Sequence, residues 1–209
     1  MDFLYKPPQF IKAVFPGIIW NNSQDRIVLT IDDGPSENTF RILDGLERHK
    51  LKAIFFCTGK NIEKHFNEFN AIIKSGHRIE NHGYSHKRLI LRNKKNNLRE
   101  ISKTNAIIKE LTGYNPELFR PPYGLFNYHT LHAVKKYNMK MMMWSFLSGD
   151  HTEDFAQVRR LTDSYLEKNS IIVMHDKKKS YEIFDQSLEY IAKTTKEKNF
   201  VFSSNFIVN

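Results

Sequence analysis

Two adjacent carboxylates, Asp32 and Asp33, stand in the stretch TIDDGP. Side by side they repel each other when both are ionised, so a protein holds such a pair where a metal or an arginine offsets the charge. The same stretch also fits an ordinary Asp-Gly-Pro turn. Further along come His82 and His86 in NHGYSH, Arg120 in FRPPYG, Asp150 in LSGDH and His175 in VMHD. Two histidines and one carboxylate make a facial ligand set for a divalent cation, with positions left for water and substrate. A neighbouring carboxylate that does not ligate can take a proton from an attacking water. Arg120 suits holding such a base ionised through a bidentate ion pair. His175 suits protonating a leaving group, with Asp150 tuning its pKa. Each residue alone also has a plainer reading: two surface histidines, a structural ion pair, a histidine that merely ends a strand.

These residues need elements to bring them together. Strand patterns cover RIVLTI (26–31), KAIFF (52–56), HRIEN (77–81), LFR (118–120), KMMMWS (140–145), SIIVM (170–174) and FVF (200–202). Helical stripes lie between them: Phe40, Leu43 and Leu46 after a Ser36 N-cap; Phe66, Phe69, Ile72 and Ile73; Leu98, Ile101, Ile108 and Leu111, closed by Gly113. Three more are Leu131, Val134 and Tyr137; Val158, Leu161 and Tyr165; and Phe184, Leu188 and Ile191. Seven strands alternating with six helices predict an α/β domain with a parallel sheet, in which an open sheet and a closed or nearly closed barrel both fit. Residues 1–20, with Pro7, Pro8 and Pro16, read as an irregular arm packed on a single domain over 21–209. The polar residues then fall at strand ends. Asp32 and Asp33 follow the first strand, His82 and His86 the third, Arg120 the fourth, Asp150 the fifth and His175 the sixth. In a β/α barrel that rim is where chemistry gathers.

Composition excludes several classes. Hydrophobic residues make up 40% of the 209, enough for a core. The only cysteine, Cys57 in AIFFC, reads as a buried thiol, so no internal disulfide is expected. The net charge of +9 favours anionic partners, but no nucleic-acid-binding module is recognisable. The N-terminus, MDFLYKPPQF, lacks a signal peptide's basic and apolar regions, and no apolar run reaches membrane-spanning length. That reads as a soluble cytoplasmic chain, with export left open.

In their order the motifs resemble those of the bacterial NodB-homology polysaccharide deacetylases, carbohydrate esterase family 4. TIDDGP has Ile31 where the family has Phe; HGYSH has Gly83 where Ser or Thr is usual; RPPYG agrees fully. LSGDH has Leu147 for the family's first Asp and His151 for its Trp, and VMH has Val173 for Leu. The resemblance implies a distorted (β/α)7-type barrel and metal-dependent removal of acetyl groups from N-acetylated sugars of the N-acetylglucosamine type. It makes Asp32 the general base and Asp33, His82 and His86 the ligands of a divalent metal: zinc, or cobalt, nickel or manganese. It has Arg120 position Asp32, Asp150 tune the acid His175, and the backbone N–H of Tyr123 help stabilise an oxyanion. The departures fall on the acetyl pocket: Trp144 or Met174 would replace the wall lost at His151, and Val173 would widen it. The alternatives are an O-acetyl-xylan esterase, a small cyclic amide hydrolase of the same superfamily, and a non-catalytic carbohydrate-binding protein.

Overall fold

In the computed structural model, residues 5–203 are described. Seven short strands pair in parallel in the order β5-β4-β3-β2-β1-β7-β6. They are β1 (Val28–Asp32), β2 (Ile54–Cys57), β3 (Arg78–Asn81), β4 (Leu118–Phe119), β5 (Lys140–Met141), β6 (Phe146–Leu147) and β7 (Ile171–His175). Eight helices accompany them: α1 (Gln9–Val14), α2 (Thr39–Arg48), α3 (Gly59–Lys64), α4 (Phe66–Lys74), α5 (Lys94–Thr112), α6 (Tyr128–Lys136), α7 (Phe155–Tyr165) and α8 (Phe184–Glu197). The central strands are apolar on both faces, as strands wrapped by helices must be. Successive residues of β2 go to different clusters: Phe55 and Cys57 pack with α2, α4 and α8 residues, whereas Ile54 and Phe56 pack with Leu118, Met141 and Val173. Cys57 is fully buried, as expected.

The two edge strands, β5 and β6, do not pair with each other, so the barrel is open on one side. Unpaired edges expose backbone donors and acceptors, and proteins cover them. Residues 5–20 do so here. Ile19 exchanges hydrogen bonds with Met141 and Met143 beside β5, and the Tyr5 carbonyl accepts the Leu147 N–H on β6. Part of this arm is regular: Gln9–Val14 form α1, where an irregular segment is expected.

Two strand predictions need correction. KMMMWS is not one strand. The chain leaves β5 after Met141, crosses the gap, and re-enters the sheet at Phe146 as β6. FVF contributes only one bridge, Phe202 to Ile27, below the start of β1. The sixth strand is therefore Phe146–Leu147, and His175 ends the seventh. Two helix details also differ. The buried stripe of α2 is Thr39, Ile42, Leu43 and Leu46, which turns Phe40 to solvent, and Phe66 is likewise exposed at the start of α4. Asn38, not Ser36, precedes α2; the Ser36 hydroxyl is engaged by Asp176. Gly113 closes α5 in the left-handed conformation, φ 72°. Among the described residues no helix is long and apolar enough to cross a membrane.

Candidate active site

β1 and β7 run in register, with Asp32 opposite His175 at their C-terminal ends. Asp33 follows with φ 74°, a left-handed conformation that Asp tolerates better than most residues. A continuing strand would send the two carboxylates to opposite faces. The turn at Asp33 itself, rather than at Gly34-Pro35, lets both reach one cleft. That turn is tied from below. The Asp176 N–H donates to the Asp32 carbonyl at 2.8 Å, and its carboxylate accepts the hydroxyls of Ser36 and Thr39. A Cβ on Gly34 would lie 2.6 Å from Asp176 Oδ2, so the approach requires glycine. Burial raises the Asp176 pKa against the pull of those hydroxyls.

Asp32 is 5% exposed, and its Oδ1 accepts from Arg120 Nη1 at 2.6 Å. The pair is not bidentate. Arg120 spends its other donors on Thr30 Oγ1 at 2.6 Å and on the carbonyls of Met142 and Met143 at 3.1 and 2.8 Å. Its guanidinium is fully buried and lies 4.1 Å from the Phe56 ring centre. Burial lowers its pKa and Asp32 opposes the shift, but a guanidinium starts so high that it stays charged.

Asp33 faces the histidines. Its Oδ1 lies 2.8 Å from His86 Nε2 and 3.4 Å from His82 Nε2. Its Oδ2 accepts from Lys177 Nζ at 3.0 Å. His82 Nδ1 is 2.8 Å from the Arg120 carbonyl. A carbonyl can only accept, so Nδ1 carries a proton and Nε2 is the nitrogen turned toward Asp33 and the cleft. His82 and His86 sit on a loop, not a helix, with Gly83 at φ 78° and His86 at φ 52°. Glu100 on α5 holds that loop, accepting the N–H groups of Tyr84 and Ser85 at 3.1 and 2.8 Å and the Ser85 hydroxyl at 2.7 Å. Burial alone would raise the Asp33 carboxyl. Hydrogen bonds from His82 and His86 and the charge of His175 hold it well below the usual range. One donor atom each from Asp33, His82 and His86 lies within 4.8 Å of the other two. A carboxylate and two imidazoles so converged, one with its Nδ1 already engaged by a backbone carbonyl, fit a divalent cation.

His175 is backed by Asp150, which is fully buried. Asp150 Oδ1 lies 2.8 Å from His175 Nδ1, Oδ2 accepts the His175 backbone N–H at 2.7 Å, and Ser148 adds a bond at 2.9 Å. Burial pulls the imidazole pKa down, but the Asp150 charge and hydrogen bond outweigh it and raise it above the ordinary value. The same partners lower Asp150 against its own burial.

The cleft between these groups encloses about 380 Å³ and is lined also by Arg88, Leu125, Trp144, Leu147 and His151. Trp144 lies beneath Gly124, where a Cβ would meet its ring at 2.4 Å. The Tyr123 ring sits 4.7 Å from that of His86, and Tyr123 itself has φ 61°. Two pocket expectations fail. Val173 is fully buried, paired with Thr30 and Leu147, and does not line the cleft. Met174 packs on the opposite face of the sheet, with Leu29 and Phe55. Sequence reasoning missed Asp176, Lys177, Glu100 and Thr30. Asp176 and Lys177 adjoin His175 and were within reach; Glu100, in the middle of a helix, gave no signal.

Residues 21–142 match the polysaccharide deacetylase family. The chain belongs to that family, the NodB-homology deacetylases of carbohydrate esterase family 4. It is 42% identical over 120 residues to a peptidoglycan-N-acetylglucosamine deacetylase of Bacillus cereus, covering 57% of this chain and 44% of that protein. It is 30% identical over 175 residues to such a deacetylase of Listeria monocytogenes, covering 81% of this chain and 36% of that one. The chain thus spans less than half the length of either relative. Its fold is similar to a solved peptidoglycan N-acetylglucosamine deacetylase in complex with 4-naphthalen-1-yl-N-oxidanyl-benzamide, with TM-score 0.85, 30% identity and 92% of each chain covered. The family depends on a divalent metal.

Proposed function

We propose that the chain hydrolyses N-acetyl groups from an N-acetylglucosamine-type glycan, with peptidoglycan the leading substrate class. The observation that carries this is the different company of the two aspartates. Asp32 is held by Arg120, while Asp33 is shared by two histidines. Asp33, His82 and His86 would hold the metal, zinc on the strength of the mixed imidazole and carboxylate set, with cobalt, nickel and manganese the alternatives. When bound, the metal supplies Lewis-acid polarisation of the acetyl carbonyl and acidifies water. Asp32 takes the proton from the attacking water, and Arg120 keeps it ionised and oriented. The Tyr123 backbone N–H faces the charge developing on the carbonyl oxygen. His175, protonated through Asp150, gives its proton to the departing nitrogen as the C–N bond breaks. Acetate and a free amine result.

Trp144, Leu147 and His151 would wall the acetyl group. The rim residues Arg88, Tyr123 and Leu125 are exposed, which suits a chain-like substrate better than a small cyclic amide. Residues 21–209 would act as one catalytic domain, with residues 5–20 closing its open side. The enzyme would work wherever N-acetylated wall glycan is accessible to it. Acetate release tests the reading, with and without chelator and with zinc or cobalt restored. N-acetylglucosamine oligomers, peptidoglycan fragments, acetylated xylan and a cyclic ureide form the panel. Metal-dependent acetate from the first two supports it; release only from xylan, or ureide hydrolysis alone, overturns it.

A further inference from the structure

We propose that Asp150, His151 and His175 form a second divalent-cation site in the cleft, separate from Asp33, His82 and His86, and that filling it silences the enzyme. One donor atom from each of the three lies within 4.8 Å of the other two. The donor types repeat those of the first trio: one carboxylate and two imidazoles. His151 supplies an independent sign. Its Nδ1 is shielded from solvent and has no hydrogen-bond partner among the described residues. Native structures seldom leave such an atom without a use. The His151 ring stands 5.1 Å from that of His175, centre to centre, and stacks on Tyr5 at 6.1 Å. Burial, with the charge of His175, pulls the His151 pKa down to about 4, so the ring is neutral near pH 7 and keeps a free lone pair. Both histidines line the open cleft, which gives an ion its path in.

The ion would replace the proton that now joins His175 Nδ1 to Asp150 Oδ1 across 2.8 Å, and that proton would leave to solvent. His175 would then keep only its Nε2 proton, as a neutral imidazole and not an imidazolium, and would be a far weaker acid toward the departing nitrogen. The silencing half of the inference therefore rests on the proposed function; the binding half does not.

The test uses the full chain, stripped with chelator and titrated with zinc by calorimetry, with bound zinc counted after dialysis. Two classes of site are expected in the unmodified protein. His82→Ala should lose the tighter class and keep the weaker. His151→Phe, which preserves an aromatic wall against Tyr5, should lose the weaker and keep the tighter. At free zinc about ten times the weaker Kd, mass action leaves about one-tenth of the rate measured with only the tighter class filled. In His151→Phe that ratio should stay near one. A single class in the unmodified protein, or a second class that survives His151→Phe, overturns the site. Two classes with an undiminished rate overturn the silencing. A chain inactive on every glycan overturns the proposed function, and the zinc count still decides the second site.

Discussion

Arg120→Met exposes what the buried guanidinium does. The substitution keeps the length of the stem and the contact with Phe56 while deleting the charge. It strands Asp32, 5% exposed, with no cation at 2.6 Å, and it removes donors from Thr30 and from the carbonyls of Met142 and Met143. Breaking a buried pair by removing one partner destabilises a protein by about 3–5 kcal/mol, because the charge left behind stays buried. For a domain of this size each kcal/mol moves the melting temperature about 2–4 °C, so a fall of about 6–20 °C is expected. Calorimetry in chelator keeps metal binding out of the measurement. The double variant Asp32→Asn/Arg120→Met should recover about 2 kcal/mol, since no stranded charge remains. A stranded charge on Asp32 is ruled out if Arg120→Met melts within about 2 °C of the unmodified chain, or if the two substitutions add to within about 0.5 kcal/mol. Either result would mean that Asp32 does not depend on Arg120 for its charge.

Asp32→Asn should retain a full equivalent of zinc by metal analysis and lose about 10²–10⁴ in kcat, the usual contribution of a positioned base; His82→Ala should lose the metal itself. Asp150→Asn should move the alkaline limb of the rate profile to lower pH. His175 acts as an acid only while protonated, so activity falls as pH rises through its raised pKa, and removing the Asp150 charge lowers that pKa. A limb that stays in place would show that Asp150 does not sustain the acid. Gly124→Ala should raise KM more than it lowers kcat and cost about 1–3 kcal/mol of stability, because the methyl enters Trp144 at 2.4 Å and the backbone sits at φ 68°. Unchanged melting and KM would detach Trp144 from the pocket.

Legibility in the sequence followed the range of the force involved. Strand cores such as Ile31 and Phe55, and the α5 stripe ending at Gly113, announce themselves through local periodicity and capping, and they stand where the pattern puts them. The break between β5 and β6 does not. KMMMWS is apolar throughout, and only the geometry of an open barrel makes Met142–Ser145 cross the gap between its edges. Phe40 misled for a related reason: a helical stripe can be drawn through it, but the sheet selects the adjacent line, Thr39, Ile42, Leu43 and Leu46. The residues that converge at the cleft were legible because strand ends and ligand types are read locally. Their support was not. Glu100 reaches the Tyr84–Ser85 loop from a helix 15 residues away, and Thr30 meets Arg120 across 90 positions.

The site's division of labour comes from giving each carboxylate its own cationic company. Asp32 and Asp33 line one cleft and Asp150 lies buried behind His175, and each would be costly there as a lone buried anion. Arg120 engages Asp32 through a locked guanidinium, which in the proposed reaction would direct that carboxylate for accepting a proton. Asp33 has no arginine. Lys177 takes its Oδ2 at 3.0 Å, and its Oδ1 turns toward His82 and His86. An ammonium on a flexible stem is exchangeable in a way that a guanidinium locked by four hydrogen bonds is not. Asp150 has only His175, whose charge comes and goes with a proton. In the proposed reaction one carboxylate type would thus serve as a base, a ligand and a tuner of an acid according to whether its partner cation is fixed, replaceable or titratable.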